Sequence, residues 1–151
     1  MKNYKNIYIG AMSGTSHDAI DVSILKIEKN FTLDFFHSKR IPNLLRNRIK
    51  NIMESDKVTL DELGQLNKKI GYLFAQAINE SIEQSKLKRN KVKCVAISGQ
   101  TIRHDVEIAN PFSMQIGDPN VVCHETGLTT ISDFRNMHIS LGGEGAPLVP
   151  E

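Results

Sequence analysis

Between Thr59 and Ile82 the apolar residues Leu60, Leu63, Leu66, Ile70, Leu73, Phe74, Ala77, Ile78 and Ile82 recur at helical spacing and fall on one stripe. Thr59, with Glu62 three residues on, forms a capping box that marks where the helix begins. A one-sided helix of this kind is a packing element rather than a cofactor-binding segment. The chain before it reads as strand. Asn6–Met12 (NIYIGAM) is rich in strand formers, and Ile20, Val22, Ile24 and Ile27, with Asp21, Ser23 and Lys26 between them, predict a half-buried strand. Phe31–His37, after the short turn Lys29-Asn30, predicts a third, so the chain opens with a three-stranded antiparallel meander.

Pro42 opens a shorter helical segment over 43–53, carrying Leu44, Leu45, Ile49, Ile52 and Met53. Downstream of the long helix, Val92–Ser98 predicts a buried strand that ends at Gly99-Gln100-Thr101. Phe112–Ile116 predicts a short strand, Pro119 starts a helical turn through Thr126, and Thr129–Asp133 predicts another strand ending at Phe134-Arg135. The tail LGGEGAPLVPE, with three glycines and two prolines, is loop chemistry. Hairpin strands followed by alternating helix and strand predict an α/β layered domain.

A chain of 151 residues suits one domain, and 40% hydrophobic with 24% charged residues is ordinary for a globular protein. No window approaches a membrane span, and MKNYKN leads into a strand rather than a signal-peptide core, so a cytoplasmic protein without membrane partners is expected. Cys94 and Cys123 fit neither a metal knuckle nor a disulfide framework, and both are expected reduced. Cys123-His124 lacks further ligands at metal-binding spacing. The net charge of +2 divides into +7 over residues 1–93 and −5 over residues 94–151. The basic residues are scattered without aromatic interleaving, which reads as solvated surface and not as a nucleic-acid face.

The turn between the first two strands holds Ser13, Gly14, Thr15 and Ser16. Their hydroxyls and flexible backbone can converge on one small anion, which makes the turn a candidate phosphate-binding hairpin. Turns are also simply built from these residues. Asp18 and Asp21 beside it are either solvated turn aspartates or holders of the magnesium that travels with a nucleotide phosphate. Ligands of layered α/β sheets gather at the carboxyl ends of strands, here Ser98-Gly99-Gln100-Thr101 and Asp133-Phe134-Arg135.

Five ordered stretches, MSGTSHDAID (12–21), SGQTIRH (98–104), MQIGDP (114–119), ISDFR (131–135) and GGEGAPLVP (142–150), together resemble the bacterial anhydro-N-acetylmuramic acid kinases. The resemblance covers essentially the whole chain and implies an actin-like ATPase (ribonuclease H-like) lobe of the actin, hexokinase and sugar-kinase superfamily. In such a lobe the meander is extended by parallel strands, with helices packed on the sheet. It places Ser13, Gly14, Thr15, Ser16, His17, Asp18, Ala19, Ile20 and Asp21 on the ATP-binding segment, with magnesium near Asp18 and Asp21. Gln100, Thr101, His104, Asp133, Arg135, Gly142 and Gly143 become candidate sugar-binding residues. Arg135 is suited to meet a lactyl carboxylate bidentately, unless it pairs with Asp133 at the strand end.

The implied reaction transfers the ATP γ-phosphoryl to the 6-oxygen of 1,6-anhydro-N-acetylmuramic acid while water opens the anhydro ring, giving N-acetylmuramate 6-phosphate for cell-wall recycling. Family members continue into a second lobe that carries the catalytic Asp. The expectation is therefore that residues 1–151 form the N-terminal ATP- and sugar-binding lobe, that the base lies beyond Glu151, and that the second lobe is absent from this chain. Such a lobe is inactive alone and catalytic when complemented. The other expectation is a truncated, non-catalytic nucleotide-binding or interaction lobe. Apolar surface left exposed would favour self-association. The sequence departs from the family pattern at His17 and Ala19, where Leu and Gly are usual, at Ser98, where His is usual, and at Glu144, where Gln is common.

Overall fold

The computed structural model describes residues 6–55 and 57–147. Strands β1 (Ile7–Ser13), β2 (Ala19–Ile27) and β3 (Phe31–Arg40) lead into helices α1 (Asn43–Glu54) and α2 (Leu60–Gln84). After a single 3-10 turn come β4 (Val92–Asp105), β5 (Phe112–Ile116), α3 (Pro119–Thr126), β6 (Thr130–Ile131) and α4 (Phe134–Ser140). The sheet runs β3-β2-β1-β4-β5, with β6 also paired to β4. β1, β2 and β3 are antiparallel neighbours, while β4 runs parallel to β1 and β6 parallel to β4. A meander extended by parallel strands, with helices packed on the sheet, is the arrangement of an actin-like ATPase lobe.

Period-two alternation explains the core. Ile7, Ile9 and Ala11 of β1, Ile20, Val22 and Ile24 of β2, and Val95 and Ile97 of β4 are buried. They form one cluster with Leu66, Ile70, Leu73, Phe74, Ala77, Ile78 and Ile82 of α2 and with Ile49 and Ile52 of α1. The α2 stripe engages this core from Leu63 inward; Leu60, placed on the stripe by spacing, is 86% exposed in the first helical turn. The cap forms as expected, with Thr59 Oγ1 accepting from the Glu62 amide at 3.2 Å. At Gly71 α2 meets the start of α3 so closely that a Cβ would lie 2.9 Å from the Asp118 carbonyl oxygen.

Three expectations need correction. β4 does not stop at Gly99-Gln100-Thr101 but runs to Asp105, pairing antiparallel with β5 beyond the glycine. Gly99 is a bulge: Ala11 faces Ile97 and Ser13 faces Gln100, so two steps on β1 span three on β4, and Gly99 takes φ +70° to absorb the extra residue. The strand expected over 129–133 shrinks to Thr130–Ile131, because Asp133 turns left-handed (φ +65°) at the head of α4. Helix α4 is an element the sequence reading lacks: it is only seven residues long and buries none of them fully, its apolar Phe134 and Met137 staying exposed. β3 also runs three residues past His37, to Arg40.

β3 is anchored to α2 by charge. Glu80 accepts from Lys39 Nζ at 2.7 Å and from Gln76 Nε2 at 3.1 Å, and meets His37 Nε2 at 3.2 Å. The Lys39 hydrogen bond, aided by His37, holds the Glu80 carboxyl below its ordinary value against a smaller opposing effect of burial. A depressed carboxyl contributes stability above the unfolded-state value and loses it as pH falls through the folded one. Glu80→Gln is expected to cost about 1 kcal/mol near neutral pH. In urea titrations at a series of pH values the gap to the parent chain should close on acidification; a gap independent of pH would refute the assignment.

Cys94 and Cys123 carry free thiols. No helix among the described residues is long and apolar enough to cross a membrane. Apolar side chains are exposed at Phe31, Leu33 and Phe36 of β3 and at Met137 and Leu141 on and after α4.

Candidate functional site

The β1–β2 turn, residues 14–18, closes with the His17 amide donating to the Gly14 carbonyl at 3.0 Å. His17 takes φ +42°, rare for a residue with a Cβ, and its Nδ1 is buried without a partner. Ser16 Oγ donates to Asp18 Oδ1 at 2.5 Å, the main reason the Asp18 carboxyl lies below its ordinary value. The Asp18 carbonyl accepts from the Ile41 amide at 2.8 Å, tying the turn to the exit of β3. Thr15, Ser16 and Asp18 are exposed, whereas Ser13 and Ile20 are buried. Asp21 pairs with Met12 and Ser38 within the sheet, two positions past Ala19, the first residue of β2. Among the described residues no group of three or more His, Cys, Asp or Glu converges. The described residues thus offer no all-protein metal cage at the turn, only the exposed Asp18 carboxylate, held below its ordinary value, with Asp21 further along β2.

Beneath the turn lies Gln100, fully buried. Its Oε1 accepts from Ser13 Oγ at 2.7 Å, and its Nε2 donates to the Thr101 carbonyl at 3.0 Å and the Gly14 carbonyl at 3.4 Å.

Next to this hairpin in the sheet, where the parallel part of β4 and then β6 end, a cleft of about 480 Å3 opens. Ser98, Gly99 and Asp133 line it, as do Asn67, Gln115 and Asn136, which the sequence did not single out. Its polar wall is a chain of side chains. Asn136 Nδ2 donates to Asp133 Oδ1 at 2.8 Å, and the Ser113 amide donates to Asn136 Oδ1 at 3.0 Å. Gln115 Nε2 donates to Ser113 Oγ at 2.6 Å and reaches Thr101 Oγ1 at 3.4 Å. His104 Nδ1 lies 3.0 Å from the same Ser113 hydroxyl, so Thr101 and His104 stand behind the wall and act on it through Ser113 and Gln115.

Arg135 does not pair with Asp133; its guanidinium approaches the Gly145 carbonyl at 3.5 Å and its Nε is buried without a partner. The glycine loop packs on α4. The Gly145 amide donates to His138 Nδ1 at 3.2 Å, a Cβ at Gly143 would run into the His138 ring, and Gly142 takes φ +87°. Gly142 and Gly143 therefore have a local packing reason and do not line the cleft. Leu148, Val149 and Pro150 of the last motif lie outside the described residues.

Sheet order, polar hairpin turn and strand-end cleft define the class: a lobe of an actin-like phosphotransferase fold. The sequence profile described as anhydro-N-acetylmuramic acid kinase matches residues 6–151. A protein of that name from gamma-proteobacterium EBAC31A08 is 60% identical over 147 residues, covering 97% of this chain and 40% of the relative. Proteins of the same name from Vibrio cholerae and Mannheimia succiniciproducens are 37% and 38% identical, again over 97% of this chain, and over 40% and 39% of their own lengths. The chain belongs to the anhydro-N-acetylmuramic acid kinase family. It spans about 40% of the length of the curated relatives it matches. Kinases use a nucleotide phosphoryl donor, which accords with a hydroxyl-rich hairpin.

Proposed function

We propose that residues 1–151 are the N-terminal lobe of an anhydro-N-acetylmuramic acid kinase, binding ATP at the hairpin and the anhydro sugar in the cleft. The observation that carries this is the placement of the two: the exposed Thr15 and Ser16 hydroxyls lie just past the end of β1, and the cleft opens at Ser98-Gly99, where the neighbouring strand β4 passes from its parallel pairing with β1 to its pairing with β5. Hydroxyls and turn amides receive the phosphate oxygens, and the ionised Asp18, with Asp21 further along β2, receives magnesium through its water shell. Asp133, Asn136 and Gln115 offer the mixed acceptors and donors that sugar hydroxyls need.

In the reaction the γ-phosphoryl group passes from ATP to the sugar's 6-oxygen as the bond from that oxygen to the anomeric carbon breaks. Water supplies the new anomeric hydroxyl, and ADP leaves. Phosphoryl transfer needs phosphates clamped from several sides and a base for the water. This lobe supplies one side, and its partner is a second lobe bearing the base, in the cytoplasm where ATP is available.

A phosphorylation assay with ATP and 1,6-anhydro-N-acetylmuramic acid, run on the 151-residue chain alone and with a separately expressed second lobe, tests the reading. Sugar phosphate formed only in the mixture is the expected result. No product in either, with no ATP-induced rise in melting temperature, overturns it in favour of a non-catalytic lobe.

A further inference from the structure

Gln100 has none of its surface exposed, and burying a primary amide is costly unless its donors and acceptor are met. Here both amide protons and the carbonyl oxygen are engaged: by Gly14 and Thr101 carbonyls on one side and by the Ser13 hydroxyl on the other. Two of these three partners belong to the hairpin, 86 and 87 residues away along the chain. The register explains how Gln100 reaches them. Ile97 points to the core beside Ala11, and strict alternation would send residue 100 to the opposite face; the extra residue at Gly99 turns it back to stand beside Ser13.

We propose that Gln100 is a positioning residue, which holds the phosphate hairpin in its binding shape through Ser13 and the Gly14 carbonyl and does not itself touch the sugar. With both amide protons committed and none of its surface exposed, Gln100 does not reach the cleft, although Ser98 and Gly99 just before it line it. The inference rests on the reading of the hairpin as the phosphate site.

The test uses Gln100→Met, which keeps the volume and removes the hydrogen bonds, Ser13→Ala, and the double variant, all in the 151-residue chain. Calorimetric titration with ATP and separately with 1,6-anhydro-N-acetylmuramic acid is paired with amide exchange in the unliganded proteins. ATP affinity should fall at least tenfold in Gln100→Met with sugar affinity changed less than twofold, and Ser13→Ala should move it the same way. The double variant should lose less than the product of the two single losses, since both changes remove the Ser13–Gln100 bond, Ser13→Ala alone also removing the 3.1 Å bond from Ser13 Oγ to the Ala19 carbonyl. Exchange at residues 14–18 should quicken about tenfold while interior amides of α2 stay protected. Merely lowered global stability would quicken both regions alike and overturn the proposal. Unchanged ATP affinity in variants of a chain that binds ATP overturns it alone. Sugar affinity lost as strongly as ATP affinity overturns it by making Gln100 a sugar ligand. If the unsubstituted chain takes up no ATP, the phosphate-site reading itself fails and the inference with it.

Discussion

Phe74→Ala lowers the unfolding free energy of this chain by about 3–5 kcal/mol, a large fraction of the roughly 5–15 kcal/mol that holds a domain together. Phe74 is fully buried in the middle of α2, within the single core cluster. The cavity left by its ring has little freedom to collapse. Gly117 packs directly on the ring: a Cβ there would lie 3.1 Å from Phe74 Cδ2. That glycine and its neighbour are pinned to α2, since Asn67 Oδ1 accepts from the Gly117 amide at 2.8 Å and the Asn67 carbonyl from the Asp118 amide at 3.2 Å. Lys68 adds a 2.7 Å ion pair to Asp118, whose carboxyl it holds below the ordinary value. A urea midpoint that falls with an unchanged slope is the expected record. A loss below about 1 kcal/mol would mean that α2 and the β5–α3 turn close over the gap.

Gly99→Ala is expected to cost about 2–4 kcal/mol and, if the proposed sites are right, to weaken ATP and sugar binding together. Two costs add. A side chain at φ +70° is strained by about 1–2 kcal/mol, and its Cβ would stand 2.9 Å from the Ile116 carbonyl oxygen and 3.0 Å from Gln115 Cβ. Those neighbours belong to β5 and cannot swing aside as a flexible side chain would. Relief comes only by shifting β5 or undoing the bulge, and either moves the cleft wall at Gln115 as well as the aim of Gln100. ATP and sugar affinities should thus both fall tenfold or more, in contrast to the selective loss expected from Gln100→Met. Gly10→Ala is the control: nothing lies within 4 Å of its Cβ position, and stability should stay within about 0.5 kcal/mol of the parent. Equal behaviour of the two alanine variants would remove the bulge from the explanation.

The Gly99 bulge also marks where reading the sequence stopped working. Glycine after a run of strand formers signals a strand end, because nothing local distinguishes a stop from an inserted residue. What keeps β4 going is β5, a partner that arrives only through the pairing of Gln100 with Ile116 and Thr101 with Gln115. Helix α4 escaped for a related reason: it lies at the surface with no fully buried residue, and its anchors are single polar contacts such as Asn136 to Asp133 and His138 to the Gly145 amide. Asn67 was hidden among the apolar residues of α2, and Ser113, Gln115 and Asn136 gain meaning only as one hydrogen-bonded wall.

By itself the amino-acid sequence determined the meander, the two helices before β4, the polar turn between β1 and β2, and the family to which the five motifs point. These rest on spacing, capping and turn chemistry, which act over a few residues and are written along the chain. Only the tertiary structure decided that Gln100 faces the hairpin instead of the cleft, that Asp133 joins Asn136 instead of Arg135, and which side chains wall the cleft. Each of those outcomes depends on register between strands or on the packing of elements distant in sequence, where a one-residue offset reverses the face a side chain occupies.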